Sequence, residues 1–142
     1  MKEGKLTQNG VHLQEHEYST IKALLEHGLD VELIPPSQIK GYYNPDIIIN
    51  GISWEIKAPE GNGRNTMKHN IQHALIQSHN IILDMRRCKL DPTTAIKSAE
   101  REFYHSKRTR RMKIILFDPH INTTSKSRST EKKYIILDYT KK

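Results

Sequence analysis

Asn44–Pro59, NPDIIINGISWEIKAP, is the stretch on which the reading of this chain turns. It divides into two short runs, Pro45–Ile49 and Ile52–Lys57, separated by Asn50-Gly51. Asn-Gly between apolar runs predicts a two-residue hairpin loop, because both central residues of a type I′ turn take positive φ. A loop of that length sets the register: Ile49 faces Ile52, Ile47 faces Trp54, and Asp46 faces Glu55. Side chains alternate between faces. Ile47, Ile49, Ile52, Trp54 and Ile56 therefore make an apolar face, and Asp46, Ile48, Ser53, Glu55 and Lys57 make the other. The apolar face is the predicted core.

The second face carries a charge problem. Two carboxylates directly opposite on an antiparallel pair stand roughly 5 Å apart at Cβ, and like charges there destabilise a sheet. A shared proton, a metal ion or the ammonium of Lys57 has to compensate. A neutralised cluster on a solvated face would satisfy the electrostatics. Perturbed carboxylates beside a lysine more often mark a site, and this face is read as the floor of an active site.

Outward from the hairpin, the chain reads as α+β (α/β). A first helix is expected over about Gln14 to His27, with Leu13, Tyr18, Ile21, Leu24 and Leu25 near one stripe. Its His12 and His16 stand four apart, a spacing that suits a metal on a helix, but without a third ligand nearby they read as exposed polar residues. Asp30–Pro35 is a predicted strand, ended by Pro35-Pro36. After the hairpin, Glu60–Asn65 lacks the spacing of a phosphate-binding glycine loop, so no nucleotide cofactor is expected. Asn65 or Thr66 caps a predicted helix from Met67 to Ser78, with Met67, Ile71, Ala74, Leu75 and Ser78 inward and Thr66, Asn70, His73 and Gln77 on a polar stripe. The start of that helix, beside Arg64 and Lys68, suits an anion.

Asn80–Met85 is almost continuously apolar, the pattern of a strand buried on both faces in a parallel or mixed sheet. Asp91-Pro92 starts a third helix, with Asp91 as N-cap and Pro92 at the first helical position. That helix is expected to fray into the basic run Lys107–Arg111. Lys113–Asp118 and Tyr134–Tyr139 are two further strands in hairpin connection. One domain over residues 1–142 is predicted, with a flexible stretch at 1–10 and a mobile loop at 119–133.

Lys and Arg number 23 against 16 acidic residues, a net charge of +7, and such a balance favours a polyanion partner, nucleic acid foremost. Cys88 is the one cysteine, which excludes an internal disulfide and a cysteine-rich zinc site. The N-terminus has no apolar core of a signal peptide, and no apolar run is long enough to span a bilayer. No membrane association and a cytoplasmic location are expected.

Asp46 followed by Glu55-Ile56-Lys57 matches the P-D…(D/E)-x-K pattern of metal-dependent nucleases, in which two carboxylates hold Mg²⁺ and the lysine steadies water and phosphate. A second chemistry needs no metal. RNA carries its own nucleophile, the 2′-hydroxyl, and an RNase then requires a base, an acid for the 5′-oxygen and cations around the phosphorane. Glu55 or a histidine suits the base; Lys57, Arg64 and Arg86 suit the cations; Thr66 and Gln77 suit substrate orientation. A non-catalytic nucleic-acid-binding protein is the third reading.

From about Gly28 to Leu90 the chain resembles the C-terminal tRNase domain of CdiA-type contact-dependent inhibition toxins. The resemblance rests on Pro45-Asp46, Asn50-Gly51, Trp54-Glu55-Ile56-Lys57-Ala58-Pro59 and Gly61-Asn62-Gly63. It continues through Asn65-Thr66, Gln77-Ser78, Asn80-Ile81-Ile82-Leu83-Asp84 and Arg86-Arg87. That family is similar to the barnase, EndoU, colicin and RelE group of RNase folds. The resemblance implies metal-independent cleavage of tRNA, without a cofactor, and an immunity protein as partner. With the chemistry above, the expected catalytic residues are Asp46, Glu55, Lys57, Thr66 and Gln77, and Arg64, Lys68, His69, His73, Arg86 and Arg87 are expected on nucleic acid. Such domains usually end a large exported protein; here a free domain beginning at Met1 is expected, and its delivery route stays open.

Overall fold

The computed structural model describes residues 2–36, 45–60, 68–73, 79–118 and 134–141. Among these, seven strands form one mixed sheet whose spatial order follows the chain, β1 to β7. β1 (Leu6–Thr7) is parallel to β2 (Val31–Leu33), and α1 (Glu15–Glu26) crosses between them. β2, β3 (Ile47–Ile49) and β4 (Ile52–Lys57) run antiparallel. β4, β5 (Asn80–Asp84) and β6 (Arg111–Phe117) are mutually parallel, and β7 (Tyr134–Thr140) returns antiparallel along the edge. A helical stretch at 68–73, α2, lies between β4 and β5, and α3 (Pro92–His105) lies between β5 and β6.

Helices cover both faces. On one, Ile21 and Leu24 of α1 pack on Leu33, Ile47, Trp54, Ile82 and Ile115. On the other, Ile71 of α2 and Ala99 and Phe103 of α3 pack on Ile81, Leu83, Met112 and Ile114. β5 thus sends successive side chains into two cores, and all five of its residues are buried. This is why it reads as an unbroken apolar run rather than an alternating one.

The turn chemistry acts where the sequence places it. Asn50 and Gly51 have φ of 51° and 76°, and the hairpin pairs Ile49 with Ile52, Ile48 with Ser53 and Ile47 with Trp54. α1 starts at its cap Gln14, whose N–H donates to Glu17 Oε1 at 2.9 Å. α3 starts at Asp91, whose Oδ2 accepts from Thr94 N, with Pro92 following.

Two differences from the sequence reading have physical causes. Leu6–Thr7, in the stretch expected to be flexible, pairs with Val31 and Glu32. Two residues are too few to display a period. The run Lys107–Arg111 is not a fraying helix end: α3 stops at His105, and Ser106 Oγ accepts from Arg108 N and Thr109 N, which turns the chain into β6 at Arg111. The predicted helix Met67–Ser78 is described only over 68–73, and the expected loop 119–133 lies outside the described residues.

Candidate active site

The hairpin's regular ladder stops one residue short of Asp46. Asp46 N donates to Trp54 O at 3.0 Å, and its own Oδ2 accepts from Ile56 N at 2.8 Å. The side chain thereby takes the place of a backbone acceptor. Asp46 is consequently bent over the end of β4 instead of standing square across from Glu55 as the two-residue loop predicted.

Glu55 and Lys57, two apart on β4, share a face, with Lys57 Nζ 3.8 Å from Glu55 Oε1. Glu55 is buried at 7% exposure, an unusual place for a carboxylate. Asp46 as a whole residue is exposed, yet its carboxylate is tied down against β4 and crowded by Glu55. Desolvation is the largest influence on that carboxyl and raises it; the Ile56 N–H pulls it down, and the charge of Glu55 and a hydrogen bond to its side chain raise it again. Lys57 lowers it least, and the balance leaves Asp46 pushed up to about 6. One of two crowded carboxyls keeps its proton toward neutral pH, as expected for like charges that share a site.

These three residues help line a cleft of about 390 Å³, as do the start of α1 and the segment before it, with His12, His16, Glu17 and Thr20. α1 packs on the sheet face of Trp54 and Ile82, whereas Glu55 and Lys57, paired with Ile81 and Leu83, project from the other face. α1 is held there by a buried polar clasp. Thr20 Oγ1 donates to Asp84 Oδ2 at 2.6 Å, and Arg86 grips the same carboxylate through Nε at 2.9 Å and Nη2 at 2.7 Å. Arg86 Nη2 also donates to Ser19 O and Oγ, at 3.0 and 3.1 Å, and its guanidinium lies 5.1 Å over the Tyr134 ring. A second cavity, about 420 Å³, adjoins the clasp and is lined by Glu15, His16, Ser19, Asp84, Arg86 and Arg87.

The sequence candidates therefore divide. Asp46, Glu55 and Lys57 are brought together. Arg86 is committed to Asp84 and α1, and Arg87 pairs with Glu60. Lys68, His69 and His73 are exposed on α2 and are not among the described residues lining the cleft. Arg64, Thr66 and Gln77 lie outside the described residues. His12 and His16, read from sequence as exposed polar residues, are exposed but face the cleft. Their spacing of four was the signal, although it pointed to a metal. Among the described residues no group of three or more His, Cys, Asp or Glu is gathered to hold a metal ion. Asp46 and Glu55 are a hard oxygen pair of the kind that holds Mg²⁺ together with substrate phosphate.

Comparison with known proteins follows the same lines. A family model described as the contact-dependent growth inhibition CdiA C-terminal domain matches residues 43–120, from before β3 past β6. The solved structure of a CdiA-CT/CdiI toxin and immunity complex from Burkholderia pseudomallei contains a similar fold, with a TM-score of 0.64 over 97% of this chain and 100% of that one. Sequence identity with it is 18%. No curated protein matches this chain.

Proposed function

The chain belongs to the contact-dependent growth inhibition CdiA C-terminal family, and from that premise we propose that it is a nuclease toxin cleaving RNA, tRNA foremost, at Asp46, Glu55 and Lys57. One observation carries the reading: two crowded carboxyls, one pushed up to about 6, and a lysine converge in a cleft. A fold has no structural reason to crowd two carboxylates at the end of a strand, since the arrangement costs stability. A phosphodiesterase does, because a base that titrates near the working pH transfers protons best.

In the metal-free course, Asp46 takes the proton of the 2′-hydroxyl, with Glu55 holding the hydrogen-bonded partner position. The 2′-oxygen attacks phosphorus, and the Lys57 ammonium stabilises the charge that grows on the phosphorane oxygens. The P–O5′ bond breaks to leave a 2′,3′-cyclic phosphate and a 5′-hydroxyl, a step that needs a proton donor at the 5′-oxygen. The net charge of +7 supports a polyanionic substrate.

A second reading rests on the same pair. Asp46 and Glu55 would hold a divalent cation, which would supply charge stabilisation and an activated water, while Lys57 orients the phosphate. The three-stranded meander β2–β4 followed by a helix and parallel β5 suits this reading.

The Burkholderia domain is part of a toxin and immunity complex. By analogy a cognate immunity protein is proposed as a partner of this chain, neutralising it by binding.

The deciding experiment incubates purified protein with total tRNA and with plasmid DNA, each with and without EDTA. Cleavage of tRNA that survives EDTA and leaves a cyclic phosphate supports the metal-free course. Cleavage stopped by EDTA, with linear phosphate ends, supports the metal-assisted one. If tRNA is bound but neither substrate is cut, even with cell extract added, the nuclease reading fails.

A further inference from the structure

The densest run of cations in the chain, Lys107-Arg108-Thr109-Arg110-Arg111, has no part in the proposed centre, and no Asp or Glu stands between Glu102 and Asp118. The fold makes a rigid platform of it. Ser106 Oγ accepts from Arg108 N at 3.2 Å and from Thr109 N at 3.1 Å, and Thr109 is wholly buried. Arg110 N donates to His79 O at 2.6 Å, and Lys141 N donates to Arg110 O at 2.9 Å. His79, Arg110 and Lys141 therefore stand side by side, one residue beyond the strand pairs Asn80–Arg111 and Arg111–Thr140. Lys141 Nζ donates to Ser106 O and lies 4.7 Å over the Phe103 ring, which fixes it against the end of α3.

Like charges held this close call for a counter-charge. The Lys141 ammonium is pushed below its ordinary value, by burial first and by Arg110 second. Among the described residues no carboxylate forms an ion pair with Lys107, Arg110 or Arg111. Lys107 and Arg110 are exposed. Tyr104, 62% exposed, stands in the last turn of α3 just before them. Its ring meets Phe103 edge-on at 5.1 Å, so one ring touches both Tyr104 and Lys141. Among the described residues Tyr18 and Tyr104 are the exposed large hydrophobics, so this surface has no apolar centre of the kind a protein interface buries. Fixed cations beside an open aromatic face are what single-stranded nucleic acid takes.

We propose that Lys107, Arg110 and Tyr104 form an RNA-binding surface apart from the proposed centre, the two cations holding the phosphate backbone and the tyrosine stacking on a base. The proposal rests on the nuclease reading above, whose substrate it holds. Arg111 lies two strands and three residues from Lys57, about 14 Å across the sheet. One tRNA can occupy both places. Each cation that neutralises a phosphate releases a counterion, whereas stacking on an aromatic ring releases none, so the two contributions separate in a salt series.

Fluorescence anisotropy on labelled tRNA tests this across a salt series, in the Lys57→Ala protein so that the RNA is not consumed. Lys107→Ala/Arg110→Ala is compared with Lys22→Ala/Lys97→Ala, which removes the same charge from exposed positions on α1 and α3. The first pair is expected to lower the slope of log affinity against log salt by about 1.5, for two phosphates, and the second to leave it unchanged. Tyr104→Ala is expected to bind about tenfold more weakly at unaltered slope, and Tyr104→Phe to bind as the parent does. Equal loss of slope in both pairs, no loss in either, or unchanged affinity in Tyr104→Ala would each overturn the assignment. Poly-glutamate is the second probe. If it binds as tightly as tRNA and loses as much in the first pair, the surface takes acidic protein and the assignment to RNA fails. Failure of the wild type to cut tRNA, with these binding differences intact, removes the nuclease reading alone. The replaced side chains are exposed, so their loss leaves no cavity, and unchanged circular dichroism identifies the variants as folded.

Discussion

Lys57 and Asp46 carry opposite kinds of cost. Lys57 is only part-buried, beside Glu55 on the polar face of β4, so Lys57→Ala is expected to leave the fold intact. It should lower the rate of RNA cleavage by about a hundredfold or more, the usual loss of one group that stabilises transition-state charge; single-turnover cleavage with circular dichroism checks both parts. Asp46 bears on stability through its proton. The folded carboxyl holds it up to about 6, whereas the ordinary value is 3.8. Between those values the native state binds more protons than the unfolded one, so this group's contribution to stability falls as pH rises through the window and is level above it. Asp46→Asn keeps an oxygen for Ile56 N–H and removes the charge. It is expected to melt above wild type at pH 7.5, with the difference closing toward pH 4, while cleavage is lost; thermal scans across that range measure it.

At the scale of elements, the clasp of Asp84, Arg86 and Thr20 decides where α1 stands. Arg86 and Asp84 side chains are 13% and 4% exposed, and removing one member of a buried pair leaves the other charge uncompensated. Arg86→Ala is expected to lower unfolding free energy by about 3 kcal/mol, read as a shift in the urea midpoint. Arg87→Ala, which breaks a more exposed pair with Glu60, should cost no more than about 1 kcal/mol. From sequence the two arginines looked alike, a dibasic pair after a strand. Only the contact of Asp84 with Thr20, from a distant part of the chain, tells them apart. The hairpin, buried β5 and the Asp91-Pro92 helix start were legible because each is decided by neighbours in sequence: turn dihedrals, burial pattern and cap. The share of α1 in the cleft was not legible. No local pattern says that His12 and His16 line the same cleft as Asp46, since that depends on α1 crossing from β1 to β2 and docking on the sheet. The run Lys107–Arg111 misled for a related reason: the turn at Ser106 ends the helix before it, and strand pairing takes over from Arg111 onward.

For the whole molecule, the net charge of +7 sets how nucleic acid is met before any bond is cut. Binding of tRNA to the Lys57→Ala protein, followed by fluorescence anisotropy, is expected to weaken linearly in log affinity against log salt, as phosphate neutralisation requires. A salt-independent affinity would count against a polyanionic substrate.

The edge of the sheet has a mechanical consequence. β1 is an outer strand held by two residue pairs, together with Gly4 N to Leu25 O and Lys5 N to Asp30 Oδ1. A side chain at Gly4 would collide with the Leu29 carbonyl, so this segment is clamped closely but over a short length. Tension applied at the N-terminus meets this tether first, and α1 next. The strands bearing Asp46, Glu55 and Lys57 lie behind them in the load path. Under pull, the domain would lose the helix that helps line its cleft while most of the sheet still stands, and on release that helix would be the last piece to seat. Competence, on the proposed chemistry, would then be switched by the element that zips last, and a modest force would disarm the domain without unravelling it.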